Sequence, residues 1–78
     1  MENFMSVHKT LKSVSSGETA FVIGVAAGRR ARYRLESMGI FPGIKVDVLN
    51  NGNGPMIVSV GEGRVMVECG IAQKVLVA

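Results

Sequence analysis

The side chains best equipped for chemistry are crowded into one stretch, GRRARYRLESMGIFPG, residues 28–43. Four arginines (Arg29, Arg30, Arg32 and Arg34) fall within six positions of a chain that holds nine basic residues in all. A guanidinium is a permanent cation with a planar fork of donors, suited to a carboxylate or a phosphate. Such a cluster could grip nucleic acid, hold a bound anion, meet an acidic partner, or simply solvate a helix face. On a helical wheel of about 100° per residue, Arg30 and Arg34 lie together beside the apolar positions Ala31, Leu35 and Met38. Arg29 and Arg32 turn to the far side with Glu36, so the four make no single stripe of the kind that follows a phosphate backbone.

Two features weigh against a purely solvating role. Positive charge in the first turn of a helix opposes the helix dipole, at a cost of roughly 0.3–1 kcal/mol per exposed residue. Gly28 brings no side chain to cap the free amides, and Arg32 before Glu36 is the weaker orientation for an i,i+4 pair. Local helix stability does not account for this turn. Free amides and guanidiniums together suit an anionic partner surface.

Other reactive residue types are sparse. The single histidine, His8, is remote in sequence from the single cysteine, Cys69, and the five methionines are scattered. A metal site needs three or four ligands at workable spacing, so no metal and no cofactor is expected. No paired carboxylates, nucleophile elbow, phosphate loop or dinucleotide fingerprint is present, and the glycines cluster in turns. The expectation is a non-enzymatic protein.

The chain has 78 residues, 47% apolar and 19% charged, with a formal net charge of +3. That is one small domain, which buries only about 60% of its unfolded surface and needs a lean aliphatic core. The charge is too small to imply nucleic acid by itself. A lone cysteine suits a reducing compartment, and MENFMSVHKTLKS lacks the apolar run of a signal peptide. AFVIGVAAG is about half of the roughly 20 residues a membrane helix needs, so no membrane insertion is expected and the expected location is cytoplasmic.

The elements that must position these residues read as follows. Residues 1–9 form an expected flexible tail, and 10–78 the domain. Thr10–Val14 is a short extended piece, and Thr19–Val25 a β-branched strand. Ala31, Leu35 and Met38, at i, i+4 and i+7, define a helix over 29–38. Gly39 stands where a left-handed C-cap is expected, and Pro42 stops any resumption. Beyond it IKVDVL, MIVSV, RVMVE and KVLVA alternate as strands, with Ile44, Val46 and Val48 on one face of the first. NNGNGP is a turn in which Asn51-Gly52 and Asn53-Gly54 can both take positive φ. CGIAQ has room for one helical turn. For the hairpin around Gly61–Gly63, a four-residue loop or a bulge pairs Val60 with Val65 and Val58 with Val67. All four valines then face inward, and Ile57, Ser59, Met66 and Glu68 face outward. With Val75 and Val77 inward, Leu76 joins the outer face, and Ile57, Met66 and Leu76 form a candidate apolar contact patch. The fold expected is an all-β, small antiparallel β-barrel with one short helical insertion after the first strand.

The run RLESMGIFPGIKVDVL, then GPMIVSV, GRVMVE and IAQKVLV, resembles the FeoA family of ferrous iron transport proteins. The matching positions are Arg34-Leu35, Met38-Gly39-Ile40, Pro42-Gly43, Gly54-Pro55, Arg64, and Ala72 before Lys74-Val75. The resemblance extends from Leu11 to the end of the chain. It implies an SH3-like β-barrel and a partner, the FeoB-type membrane ferrous iron transporter with its cytosolic GTP-binding domain. The chain would then be a cytoplasmic accessory, peripheral to the inner membrane through that partner and acting by protein–protein contact. The expected docking residues are Arg29, Arg30 and Arg34, with Ile57, Met66 and Leu76; Gly39, Pro42, Gly43, Gly54 and Pro55 set the turns. Weak self-association through an edge or the apolar patch is compatible with this reading. The alternative is a small nucleic-acid-binding β-barrel, against which stand the missing aromatic platform and the low net charge.

Overall fold

The computed structural model describes residues 9–78; the tail expected over 1–9, with His8, lies outside the described residues except for Lys9. Six strands form one antiparallel sheet: β1 (Lys9–Thr10), β2 (Thr19–Val25), β3 (Lys45–Asn50), β4 (Met56–Val60), β5 (Gly63–Val67) and β6 (Val75–Val77). Their order is β1-β6-β2-β3-β4-β5. The sheet coils because β2 serves two neighbours. Its first half pairs with β3 through Thr19–Phe21, and its second half pairs with β6, with the register shifting between Val22 and Gly24. A bulge of this kind bends the strand and wraps the sheet around one core.

The strand alternation places Ala20, Val22, Val46, Val48, Met56, Val58, Val67, Val75 and Val77 inside, each at most 3% exposed. Leu35 from the helix, Leu11 and Val14 from the N-terminal turn, and Ile40 complete a core with no buried polar or charged residue among those described.

The segment Thr10–Val14 is not extended as its sequence suggested. Only Thr10 stays in a strand, and Leu11–Ser13 is a 3-10 turn closed by Val14 N donating to Leu11 O at 3.1 Å. The reason is burial. A turn of three residues stacks Leu11 and Val14 on one side, whereas a strand would send them to opposite faces. Because β1 precedes β2, the helix follows the second strand of the sheet.

Helix α1 runs Arg29–Ser37, with Gly28 as an N-cap that offers no side-chain bond. Its end is a Schellman motif. Gly39 takes φ +89° and its N–H donates to Glu36 O at 2.9 Å, while Ile40 N donates to Leu35 O at 2.9 Å. Leu35 and Ile40, brought together by that bond, are both fully buried. Phe41-Pro42-Gly43-Ile44 follows as a type II turn, with Gly43 at φ +98° and Ile44 N donating to Phe41 O at 3.1 Å.

The β4–β5 hairpin takes a register that the sequence reading did not choose. Val60 pairs with Gly63, Val58 with Val65 and Met56 with Val67, around a two-residue loop of Gly61 and Glu62. Gly61 adopts φ +61°, the positive φ that tight hairpin turns require at their first central position. This differs by two residues from the expected pairing of Val60 with Val65 and Val58 with Val67, and a shift of two leaves each strand side chain on the face expected for it. Glu68 leaves the strand and becomes the N-cap residue of α2 (Cys69–Ala72), a single turn. In the 51–55 loop Gly54 alone of the two glycines takes positive φ, at +92°. Asn51 serves instead as a tie: its Nδ2 donates to Lys12 O at 2.8 Å and to Val14 O at 2.7 Å.

Candidate docking face and cleft

Helix α1 buries one residue fully, Leu35, and half-buries Ala31 and Met38, leaving the rest of its circumference to solvent. Arg29, Arg30, Tyr33, Arg34 and Ser37 line one shallow surface there. The wheel had sent Arg29 to the far side, away from Arg30 and Arg34. In the folded chain it joins them, and it also flanks a second shallow surface with Arg32, Tyr33 and Glu36. Tyr33, 75% exposed, occupies the middle of the cationic face. From the sequence Tyr33 lies near the arginines without the pattern of a base-stacking platform, and no docking role is expected of it; its position at i+3 from Arg30 and i+4 from Arg29 is the signal that puts it on their face.

No side-chain hydrogen bond among the described residues engages a guanidinium of α1. The first turn carries no acidic residue, and Arg34 stands in the last turn, where positive charge favours the helix dipole. The three expected docking arginines therefore differ. Arg29 and Arg30 are held at a local electrostatic cost, whereas Arg34 stabilises the helix it belongs to.

A second feature adjoins this face. Arg34, Leu35 and Met38 form one wall of a cleft of about 140 Å³. The opposite side is built from Pro55, the end of β5 (Met66, Val67) with Glu68 after it, and Ile71 of α2. Cys69 Sγ donates to Gly54 O at 3.1 Å, which ties α2 to the Gly54-Pro55 turn and steadies that side. Arg34 and Met66, expected from the sequence to dock a partner, thus meet at one opening.

The other two apolar candidates separate. Ile57 pairs directly with Met66 across β4 and β5, so these two are neighbours on the outer face. Leu76 does not join them, because β2 and β3 lie between β6 and β4 in the sheet. It pairs with Gly24 and Thr10 instead, and its Cδ1 would be 3.9 Å from a Cβ placed on Gly24. Other large apolar side chains stay exposed, among them Phe21 at 53% and Ile23 at 49% on β2. Among the described residues no group of three His, Cys, Asp or Glu side chains gathers to hold a metal ion. No helix of the described residues is long and apolar enough to cross a membrane.

Comparison with known proteins agrees with this architecture. The family pattern described as the FeoA domain matches residues 9–78. A protein assigned by name as Fe(2+) transport protein A, from Methanocaldococcus jannaschii, is 39% identical over 67 residues, covering 86% of this chain and 82% of that one. The crystal structure of an iron uptake regulatory protein, FeoA, superimposes with a TM-score of 0.85 at 35% identity, covering 91% of this chain and 96% of the other. The zinc-complexed FeoA of Stenotrophomonas maltophilia, described as a prokaryotic SH3 domain protein, gives a TM-score of 0.79 at 26% identity, over 90% and 89% of the two chains. The fold is SH3-like, its helix inserted after β2, and a pattern that spans every described residue places the chain in the FeoA domain family.

Proposed function

We propose that this chain is a non-enzymatic accessory of a FeoB-type ferrous iron transporter, docking on an acidic surface of the transporter's cytosolic part through helix α1. Membership of the FeoA family supports the link to ferrous iron transport. The observation that carries the docking face is the cluster of Arg29, Arg30 and Arg34 around exposed Tyr33, without hydrogen-bond partners among the described side chains. Helix-dipole energetics disfavour Arg29 and Arg30 in the first turn of the free protein, and an acidic partner offsets that cost. Ile57 and Met66 add apolar area beside it; Leu76, with β2 and β3 between its strand and β4, is not their neighbour in the sheet. A contact led by exposed charge forms faster at low ionic strength and is weakened by salt.

The test is affinity capture from detergent-solubilised membranes of the source organism, with wild type beside Arg29→Glu/Arg30→Glu and the triple variant that adds Arg34→Glu. The wild type is expected to retain the transporter and both variants to lose it, with circular dichroism showing folded protein throughout. The double variant is the decisive one, since its substitutions relieve the dipole conflict and cannot be faulted for weakening the helix. Equal retention by wild type and double variant would return the arginines to a solvating role. Exposed Tyr33 among guanidiniums is the one feature that favours the nucleic-acid alternative, since a base can stack on such a ring. Recovery of nucleic acid in place of the transporter would decide for it.

A further inference from the structure

We infer that the cleft between α1, β5 and α2 receives one large aliphatic side chain from an acidic partner segment, whose carboxylates lie across Arg34 toward Arg30 and Arg29. This inference rests on the docking reading above and names the chemistry of the segment that docks.

The cleft has the size for such an anchor. Its volume of about 140 Å³ is comparable to the engineered apolar cavity of about 150 Å³ that takes up benzene, enough for one leucine- or methionine-sized group and too small for a helix or strand. Among its lining residues Leu35 and Val67 are 0% and 1% exposed, and Met38 and Ile71 are half-buried, so the lining is largely apolar. Met66, also in the lining, keeps 64% of its surface in water. Two methionines in such a lining can repack around an incoming side chain, because the thioether chain is unbranched and flexible.

Charge complementarity selects the partner. Arg34 lines the cleft and belongs at the same time to the cationic face with Arg29 and Arg30. A segment anchored in the cleft therefore runs directly onto three guanidiniums, and acidic residues beside the anchor are favoured there. Glu68 also lines the cleft, and a carboxylate placed next to it is disfavoured by like-charge repulsion. A basic or uncharged segment finds no comparable match.

The experiment uses the full chain with ¹³C-methyl-labelled methionine and isoleucine, titrated with three short synthetic peptides. One is acidic with a single central leucine, the second has alanine in its place, and the third is the leucine peptide with lysines for the acids. The leucine peptide is expected to move the Met38, Met66 and Ile71 methyl signals and to leave that of fully buried Met56 in place. The alanine and lysine peptides are expected to bind on the order of tenfold more weakly or worse. Met66→Glu should abolish the response, and Met66→Leu should restore it. Shifts confined to the outer face of α1, or equal binding of leucine and alanine peptides, would overturn the anchor while leaving arginine docking intact. So would absence of binding by every peptide. Failure of wild type to capture the transporter would remove the FeoB reading instead, and the peptide titration would still decide the cleft.

Discussion

At the scale of single residues, two glycines with similar dihedrals separate backbone strain from steric contact. Gly39 and Gly43 sit at φ +89° and +98°, a region that costs an L-residue roughly 1–2 kcal/mol. A Cβ on Gly43 meets nothing within 4 Å, but one on Gly39 would stand 3.2 Å from Val60 Cγ1. Gly43→Ala should therefore lose only the strain, and Gly39→Ala should lose more, since Val60 must also give way beside the capped helix end. Urea denaturation of the two variants measures the difference directly; equal losses would mean that Val60 moves freely. Asn51 is a third informative position. Truncation to alanine strips the Lys12 and Val14 carbonyls of their shared donor, at about 1–3 kcal/mol for a group left unpaired. The same denaturation experiment should show Asn51→Ala destabilised by about that amount, although the sequence marks the residue only as part of a turn.

At the scale of elements, α1 carries a conflict between stability and docking that one pair of substitutions exposes. Arg29→Glu and Arg30→Glu place favourable charge in a first turn that now has no acidic residue, worth about 0.3–1 kcal/mol each. The double variant should melt at a higher temperature than wild type at low salt, and the gain should shrink as salt is added. A lower melting temperature would show that the arginines make stabilising contacts of their own. The helix itself was legible in the sequence because its apolar positions, its glycine cap and the following Pro-Gly turn all agree on where it stops. The hairpin register was not. Alternation has a period of two, so it assigns faces and leaves a slip of two residues invisible. The loop decided it, through a positive φ at Gly61 that the valine pattern does not encode. The N-terminal turn escaped for a related reason, since Leu11 and Val14 are too few to declare a three-residue period. The cleft was hidden more deeply. Its walls come from positions 34, 35, 38, 55, 66–68 and 71, which nothing short of the folded sheet brings together.

At the scale of the whole molecule, the question is whether α1 is an appendage or part of the one cooperative unit. Leu35 is the one residue of α1 fully inside the core, and the Schellman bond joins it to Ile40, which is equally buried. A chain of this length has a total stability of about 4–12 kcal/mol. Leu35→Ala removes about 2–5 kcal/mol from it, according to how far the neighbours close over the cavity. If the helix and the barrel share one core, the variant should unfold in a single transition at a markedly lower urea midpoint, followed alike by far-UV circular dichroism and by exchange of the β3 and β4 amides. If α1 is only appended, helical signal should vanish first, with the β3 and β4 amides still protected as in wild type. The joined core favours the single transition. Its functional consequence is that the cationic face and the cleft share a rigid support: Leu35 and Val67, which line the cleft, are themselves core residues. A partner that grips both features would then bind without first ordering the helix, and a variant that loosens Leu35 should lose the leucine peptide even where its arginines are untouched.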